Sequence, residues 1–441
     1  MIQNGQATAP VNGIQTHERL GQTHERLVDR ANLKVAYMMS RFPKITETFI
    51  LYEMLAMEQH GVQIEVYPLQ REKTNVVHPE ARSFVARANF RPMFTLQMLR
   101  SHGRFFRRKP LTYLHTLWTL VRANFGSPRY LAGSLAFFPK AVHFAELMEK
   151  DGITHLHAHF ASFPAAVAYV IHRLTNIPYS FTGHGSDLNR DRHMLKEKVM
   201  EASTVVPISE FFKEMIVDEC GEIVRHKIQV VHCGVDTAVF EPRTEPTPFD
   251  RGEADFMLLA IGTLHEVKGQ KYLIQACAEL KKQGIAFTCH FIGDGPDEEM
   301  LAEETRRLGL EDVVHFHGRQ PREFVVDMLK KTDVLVTPSV PSSDGRREGI
   351  PVVLMEGMGS CVPVISTRMS GIPELVEDGE CGYLVEPFAV DQLADRIQKL
   401  HADADLRHQF GQAGRKKVVE EFDLYANAVK LAQYFSRGKG S

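Results

Sequence analysis

The sequence predicts two doubly wound α/β domains facing each other across a cleft. Three observations carry this. From Leu33 onward, short apolar segments alternate with helical ones, as expected of parallel strands covered on both faces by helices. The alternation breaks at a proline- and charge-rich stretch, EPRTEPTPFDRGE (241–253), and then restarts. The length of 441 residues, with 44% hydrophobic and 24% charged content, suits a globular chain of about two to three domains.

The elements follow in order. LKVAYM (33–38) is a buried-type strand, a helix runs from Phe49 to His60, and VQIEVY (62–67) is the next strand. THLHAHF (154–160), PYSFTGH (178–184), TVVPIS (204–209) and KIQVVH (227–232) complete a first domain spanning 31–240. After the 241–253 linker, FMLLAIG (256–262), FTCHFIG (287–293), VVHFHG (313–318), DVLVTP (333–338) and VPVIST (362–367) build a second domain over 254–420. Residues 421–441 hold a last helix around Phe422 to Tyr434. Residues 1–30 are polar, repeat QTHERL at 15–20 and 22–27, and read as a solvated tail. Doubly wound sheets bind ligands outside the carboxyl ends of their strands, so the cleft is the expected site.

Composition narrows the function. A net charge of −3 gives no global argument for nucleic acid. The six cysteines form no CxxC pair and no metal-ligand spacing, which fits a reducing, cytoplasmic setting. No apolar run is long enough to span a bilayer and no signal-peptide pattern opens the chain. One stretch is asymmetric. Residues 81–145 contain no acidic side chain but eleven basic ones, many aromatics and the single tryptophan, Trp118. This reads as a helical insertion whose arginines meet an anionic membrane surface from the inner face. The competing reading packs LTYLHTLWTLV (111–121) into the core and leaves the arginines in water.

The densest chemistry lies in DGRREGIPVVLMEGMGSCVPVISTRMSGIPELV (344–376). Pro351 suits a first helical residue, so a helix is expected to start there. Glu348 then precedes the helix, and Glu356 stands about 7.5 Å further along its axis. Between the two carboxylates lie the free amides of the first turn, an anion site at the positive end of the helix dipole. A phosphate flanked by hydroxyl-bearing groups, as in a nucleotide diphosphate sugar, matches that layout. A glutamate ahead of a helix often only answers its dipole. Glu356, however, sits in an apolar run (Val352 to Met355, then Gly357 and Met358), where carboxylates seldom occur without a partner.

GTLHEVKG, IGDGP, EGIPVVLME and SGIPELVEDGECGYLVEP occur in that order. Together they resemble the C-terminal half of retaining GT-B glycosyltransferases of family 4 (glycosyl transferases group 1). FPKITETFI, HAHFA, FTGHGSD and CGVDTAVFEP resemble the N-terminal half more loosely, and the match covers roughly 33–430. FPxxTETFI and SVPSSDGRREGIP are most similar to bacterial exopolysaccharide and capsule members. The resemblance implies the GT-B fold, two Rossmann-like domains with the C-terminal helix crossing back to the first. It implies transfer of a sugar from a UDP- or GDP-sugar to a saccharide, lipid-linked in many such pathways, with no further cofactor. Glu348 would contact the donor sugar, Glu356 the ribose hydroxyls, Gly349, Ile350 and Pro351 the phosphates, and Lys268 the developing negative charge. His184, between two glycines and near Asp187, would face the donor sugar and acceptor, whereas His157 and His159 read as structural. Asp294 and Asp297 are separated by Gly295 and Pro296, so this stretch forms no DxD-type metal pair and no metal is expected.

Two departures stand out. Thr263 occupies the place where relatives carry a diphosphate arginine, and a hydroxyl cannot replace a guanidinium fork. Arg319, Arg346, Arg347 and His265 are the candidates to substitute for it. Relatives also carry a glycine turn after the first strand, where this chain has Ser40-Arg41-Phe42-Pro43-Lys44; Thr46 or Thr48 could cap the next helix. These departures feed the alternatives: an inactive GT-B-fold saccharide-binding or scaffold subunit, or another GT-B enzyme such as a sucrose-type synthase or sugar-nucleotide epimerase. A glycosidase is disfavoured, because Glu348 and Glu356 lie on one element rather than on opposite sides of an anomeric carbon.

Overall fold

The computed structural model describes residues 33–44, 47–73, 78–190, 192–242 and 256–437. The expected tail, Thr46 and linker residues 243–253 lie outside these. The first sheet contains β1 (Lys34–Met38), β2 (Gln63–Val66), β3 (His155–His159), β4 (Tyr179–Gly183) and β5 (Thr204–Pro207), ordered β2-β1-β3-β4-β5. The second contains β6 (Met257–Ile261), β7 (Thr288–Ile292), β8 (Val314–Phe316), β9 (Val334–Thr337), β10 (Val364–Thr367) and β11 (Gly382–Val385), ordered β8-β7-β6-β9-β10-β11. All these pairings are parallel. The strand order reverses between β1 and β3 and between β6 and β9, which opens a crevice at each carboxyl edge. This is the GT-B arrangement of two Rossmann-like domains.

Two segments differ from expectation. Residues 227–232 form no strand. Ile228 makes one isolated bridge to Val205, and Gln229 and Val231 donate to the Val205 and Pro207 carbonyls at 2.9 and 3.3 Å. The segment borders β5 without continuing its ladder. Conversely, GYLV forms the edge strand β11, where an initial glycine had hidden the strand pattern.

Helix α1 (Thr48–Gln59) buries Ile50, Leu51, Met54 and Met57 under the first sheet. Its cap is Glu47, so Thr48 opens the helix rather than capping it. The basic stretch folds largely as α2 (Leu96–Arg108), α3 (Pro110–Ala123) and α4 (Pro128–Lys150). Thr95 and Ser127 cap α2 and α4 by accepting from Met98 N and Tyr130 N. The stretch is neither wholly in the core nor wholly wet. Helix α3 buries Thr116, Thr119 and Leu120, yet Leu111 and Trp118 are 81% and 61% exposed. Lys140 is buried; its ammonium donates to the carbonyls of Leu69 and Arg91 at 2.6 and 2.7 Å, and burial lowers it to about 8. Arg104 and Arg108 pair with Glu146 and Glu149 on α4.

The cleft is lined by α1 and α5 (Gly185–Leu188) on one side, with α6 (Glu210–Cys220) outside the lining, and by α7 (Arg322–Leu329) and α8 (Val352–Gly359) on the other. The last helix, α9 (Leu424–Arg437), lies against the first domain, with Leu424, Ala428, Leu431 and Phe435 in one apolar cluster with Val35, Met54 and Val66. The halves meet near the cleft at several points, two of them through the backbone. Glu374, in the SGIPELV segment, accepts from the Glu210 and Phe211 amides at 2.8 and 2.9 Å, so it caps α6 across the domain boundary. Gly185 and Gly349 meet backbone to backbone, and a Cβ on Gly185 would lie 2.5 Å from the Gly349 nitrogen.

Candidate active site

The two carboxyl edges enclose a cleft of about 550 Å³, within the usual range for a small-molecule site. Its lining includes the residues expected to hold the donor or face it: Thr263, Lys268, Glu348, Gly349, Ile350, Pro351 and Glu356 from the second domain, and His184 from the first. Strand β6 ends at Ile261, and the chain turns through Gly262 and Thr263 into a short 3-10 turn at Glu266–Lys268. Gly269 closes that turn at φ +69°, and a Cβ there would fall 1.9 Å from the Pro338 carbonyl oxygen. Only glycine lets the Lys268 turn rest on the end of β9.

Lys268 Nζ lies 2.9 Å from Glu348 Oε1. The candidate cation and the candidate sugar-binding carboxylate thus neutralise each other across the cleft floor. Pro351 is the cap of α8 rather than its first residue; its ψ of 124° is extended, and the helix begins at Val352. The helix therefore starts one residue later than expected, and Gly349 to Val353 line the cleft between the two carboxylates. Glu356 is largely enclosed. Burial raises its carboxyl to about 7, with Arg322 pulling the other way.

The structure sorts the candidates for the missing arginine. Arg319 is committed to Asp294, with Nη2–Oδ2 at 2.9 Å. Arg346 pairs with Asp344 at 2.8 Å and contacts His265 at 3.3 Å, which occupies both. Neither Arg319 nor Arg346 lines the cleft. Arg347 does, is exposed, and has no ion pair among the described residues. A further arginine escaped the sequence reading. Arg322 opens α7, lines the cleft beside Glu356, and lies 4.3 Å over the Tyr52 ring and 5.2 Å over the Phe240 ring. A cation at a helix N-terminus opposes the dipole, a broken local rule that could have marked it.

On the opposite wall, His184 follows β4 and caps α5. Its amide donates to Asp187 Oδ1 at 2.8 Å, and the Ala161 amide donates to the other oxygen of that carboxylate. Asp187 is therefore structural; burial raises it to about 7. The His184 ring is buried, and burial drives it well below its usual range, so it is neutral. Phe49 and Phe160 pack on it, each with ring centroids 4.8 Å away. These two aromatics, with Tyr52, Lys44 and Glu47, belong to a first-domain lining that nothing in the sequence had marked.

Comparison with known proteins agrees with this architecture. Residues 46–239 match the family model described as Glycosyltransferase Family 4, and residues 243–417 match Glycosyl transferases group 1. The chain is 31% identical over 416 residues to the colanic acid biosynthesis glycosyltransferase WcaL of Salmonella typhimurium, covering 91% of this chain and 98% of that one. It is 32% identical over 263 residues to the amylovoran biosynthesis glycosyltransferase AmsK of Erwinia amylovora, covering 58% and 62%. Among solved structures, a glycosyltransferase from Rickettsia africae superposes with a TM-score of 0.70 at 17% identity, covering 93% and 100%. Anabaena HepE in complex with UDP-glucose superposes with a TM-score of 0.67 at 16% identity, covering 92% and 100%. The chain belongs to the family 4, group 1 glycosyltransferases and is a glycosyltransferase of GT-B fold.

Proposed function

We propose that this enzyme transfers a sugar, with retention of anomeric configuration, from a nucleotide diphosphate sugar to a saccharide acceptor in exopolysaccharide synthesis. The observation that carries the reading is the single cleft in which Lys268, Glu348, Gly349–Pro351 and Glu356 face His184. In this reading Glu356 holds the ribose hydroxyls and Glu348 the donor sugar. Lys268 and the amides before α8 take the diphosphate. As the glycosidic bond breaks, negative charge grows on the leaving phosphate, and fixed cations and N–H donors there lower the barrier. Arg347 supplies the guanidinium that Thr263 lacks. Among the described residues no side chain stands as an obvious nucleophile, so in this reading the departing phosphate deprotonates the acceptor on the same face. The similarity to colanic acid and amylovoran enzymes supports the polysaccharide assignment, and the bound UDP-glucose of HepE supports a UDP-sugar donor. The test is a screen of UDP- and GDP-sugars for turnover. One donor should be consumed by the wild type and spared by Glu356→Ala; equal turnover by both proteins would overturn the site.

The acceptor in this reading is lipid-linked, and the insertion brings the enzyme to the inner face of the membrane. No helix among the described residues is long and apolar enough to cross a bilayer. Helices α2 and α3 instead expose Leu96, Leu99, Leu111, Leu114 and Trp118 close in sequence to Arg100 and Arg107, which have no ion pair among the described residues. Apolar side chains interleaved with free arginines suit an anionic headgroup layer. Flotation with phosphatidylglycerol-containing vesicles at low salt should carry the protein up, and failure to float would sink this part. The second reading, an inactive saccharide-binding subunit, is favoured by Thr263 and by the missing glycine turn after β1, and the screen decides against it if any donor turns over.

A further inference from the structure

Behind the cleft wall lies a buried polar cluster that the transfer reading does not use. His155, His157 and His159 alternate along β3, so they share one face of the sheet and are fully buried. Helix α1 covers that face. Its Phe49 packs on His184, and Glu53, one turn further, reaches His159: Glu53 Oε1 lies 3.2 Å from His159 Nε2. Tyr37 donates to the same carboxylate oxygen at 2.9 Å. The other nitrogen of His159, Nδ1, lies 3.3 Å from His184 Nε2. A continuous chain therefore runs from Glu53 through His159 to the histidine at the cleft.

We propose that Glu53 is a positioning residue for glycosyl transfer, acting through His159 to fix the tautomer and ring plane of His184. A carboxylate only accepts, so His159 must carry its proton on Nε2 to donate to Glu53. In the neutral ring this leaves Nδ1 bare, and Nδ1 can then only accept. His184 must supply the donor, which puts its own proton on Nε2 and leaves its Nδ1 without one. Phe49 and Phe160 hold the ring from the sides. Without Glu53, His159 is free to adopt the opposite tautomer, and two N–H groups would then point at each other. The effect is on the first-domain wall alone, since Glu53 is not part of the donor-facing set of Lys268, Glu348 and Glu356. The inference rests on the proposed transfer only for its kinetic consequence.

The test combines spectroscopy and kinetics. In wild-type protein labelled with ¹⁵N in its imidazoles, His159 and His184 should both appear as Nε2–H tautomers; a proton on Nδ1 of either ring overturns the proposal. This arm stands whether or not the transfer reading does, and needs no variant to fold. With UDP-glucose as the donor probe, Glu53→Met should lower kcat by roughly 10-fold or more, as removal of a histidine's outer partner does elsewhere. Its KM for the donor should stay unchanged. Glu53→Gln, which keeps an acceptor oxygen, should restore most of kcat. If Glu53→Met keeps the wild-type kcat and tautomers, the relay has no role. Glu53, His157 and His159 also bring ligand atoms within 4.8 Å of one another. Stoichiometric metal in the purified protein by elemental analysis would show a different purpose for the cluster and contradict the proposal.

Discussion

The two walls of the cleft are built on opposite physical principles. The second-domain wall holds its charges near the surface and in balance. Lys268 and Glu348 are each about 20% exposed and paired at 2.9 Å, and a ligand can separate them at modest cost. The first-domain wall is desolvated. His184 is neutral in a ring cage, and its partners His159 and Glu53 reach it from a strand and a helix behind it. The difference teaches that one wall is made to exchange partners with a charged ligand, whereas the other is made not to move. Glu356 stands between these regimes: its carboxyl is enclosed and strained electrostatically, with Arg322 as its nearest compensation.

Breaking the charged wall should have the largest effect. Lys268→Ala removes the fixed cation from the leaving group and frees Glu348 from its pair. Turnover of the cognate nucleotide sugar should fall on the order of 10²- to 10³-fold, as when one charge-stabilising donor is lost. Gly185→Ala tests the contact between the walls. Its methyl cannot fit 2.5 Å from the Gly349 nitrogen, so the halves must separate. A displacement near 1 Å costs roughly 10²-fold in kcat, while far-UV circular dichroism should be unchanged.

Glu356→Gln should weaken donor binding by about 10-fold or more through the lost charged acceptor, read by titration calorimetry. It should also change the pH dependence of stability. A carboxyl raised from 4.5 to about 7 by burial contributes stability that is complete below pH 4.5 and lost as pH rises through about 7. The variant should therefore be more stable than wild type at pH 8, by on the order of 2 kcal/mol, and equal to it near pH 4. Asp187, also raised to about 7, leaves a residual slope in the same window in both proteins. Glu374→Ala removes the cap that the second domain places on α6 and should cost about 1 kcal/mol of stability, measured by urea titration, with a few-fold rise in donor KM. Arg319→Ala should do least. Its pair with Asp294 is exposed and outside the cleft lining, so turnover should change by less than about two-fold.

The contrast between the walls also explains what the sequence could reveal. The groups proposed to hold the donor lie in two short segments, 262–269 and 347–356, one a strand–turn and the other a loop–helix. Their spacing is local, so Lys268, Glu348 and Glu356 are legible as a set. The strands of both sheets were legible for the same reason, with two exceptions: the apolar residues of 227–232 border β5 without pairing fully, and β11 lay hidden behind its initial glycine. The first-domain wall has no such local grammar. Phe49, Glu53, Phe160 and His184 come from α1, the end of β3 and the end of β4, and only the strand order β1-β3-β4 brings them together. His159 reads as a structural histidine in HAHF because nothing near it in sequence names Glu53 or His184. Arg322 was hidden likewise, since its partners Tyr52 and Phe240 lie far off along the chain.

The central claim is that the wall formed by 262–269 and 347–356 binds a nucleotide diphosphate. The most direct measurement is thermal unfolding with saturating UDP, GDP and ADP, on wild type and on Lys268→Ala. Ligand bound only by the folded state raises the midpoint in proportion to its binding free energy. The account predicts a clear rise with one of the three nucleotides for wild type, most of it lost in Lys268→Ala. A rise of equal size in both proteins, or none with any nucleotide, would contradict it.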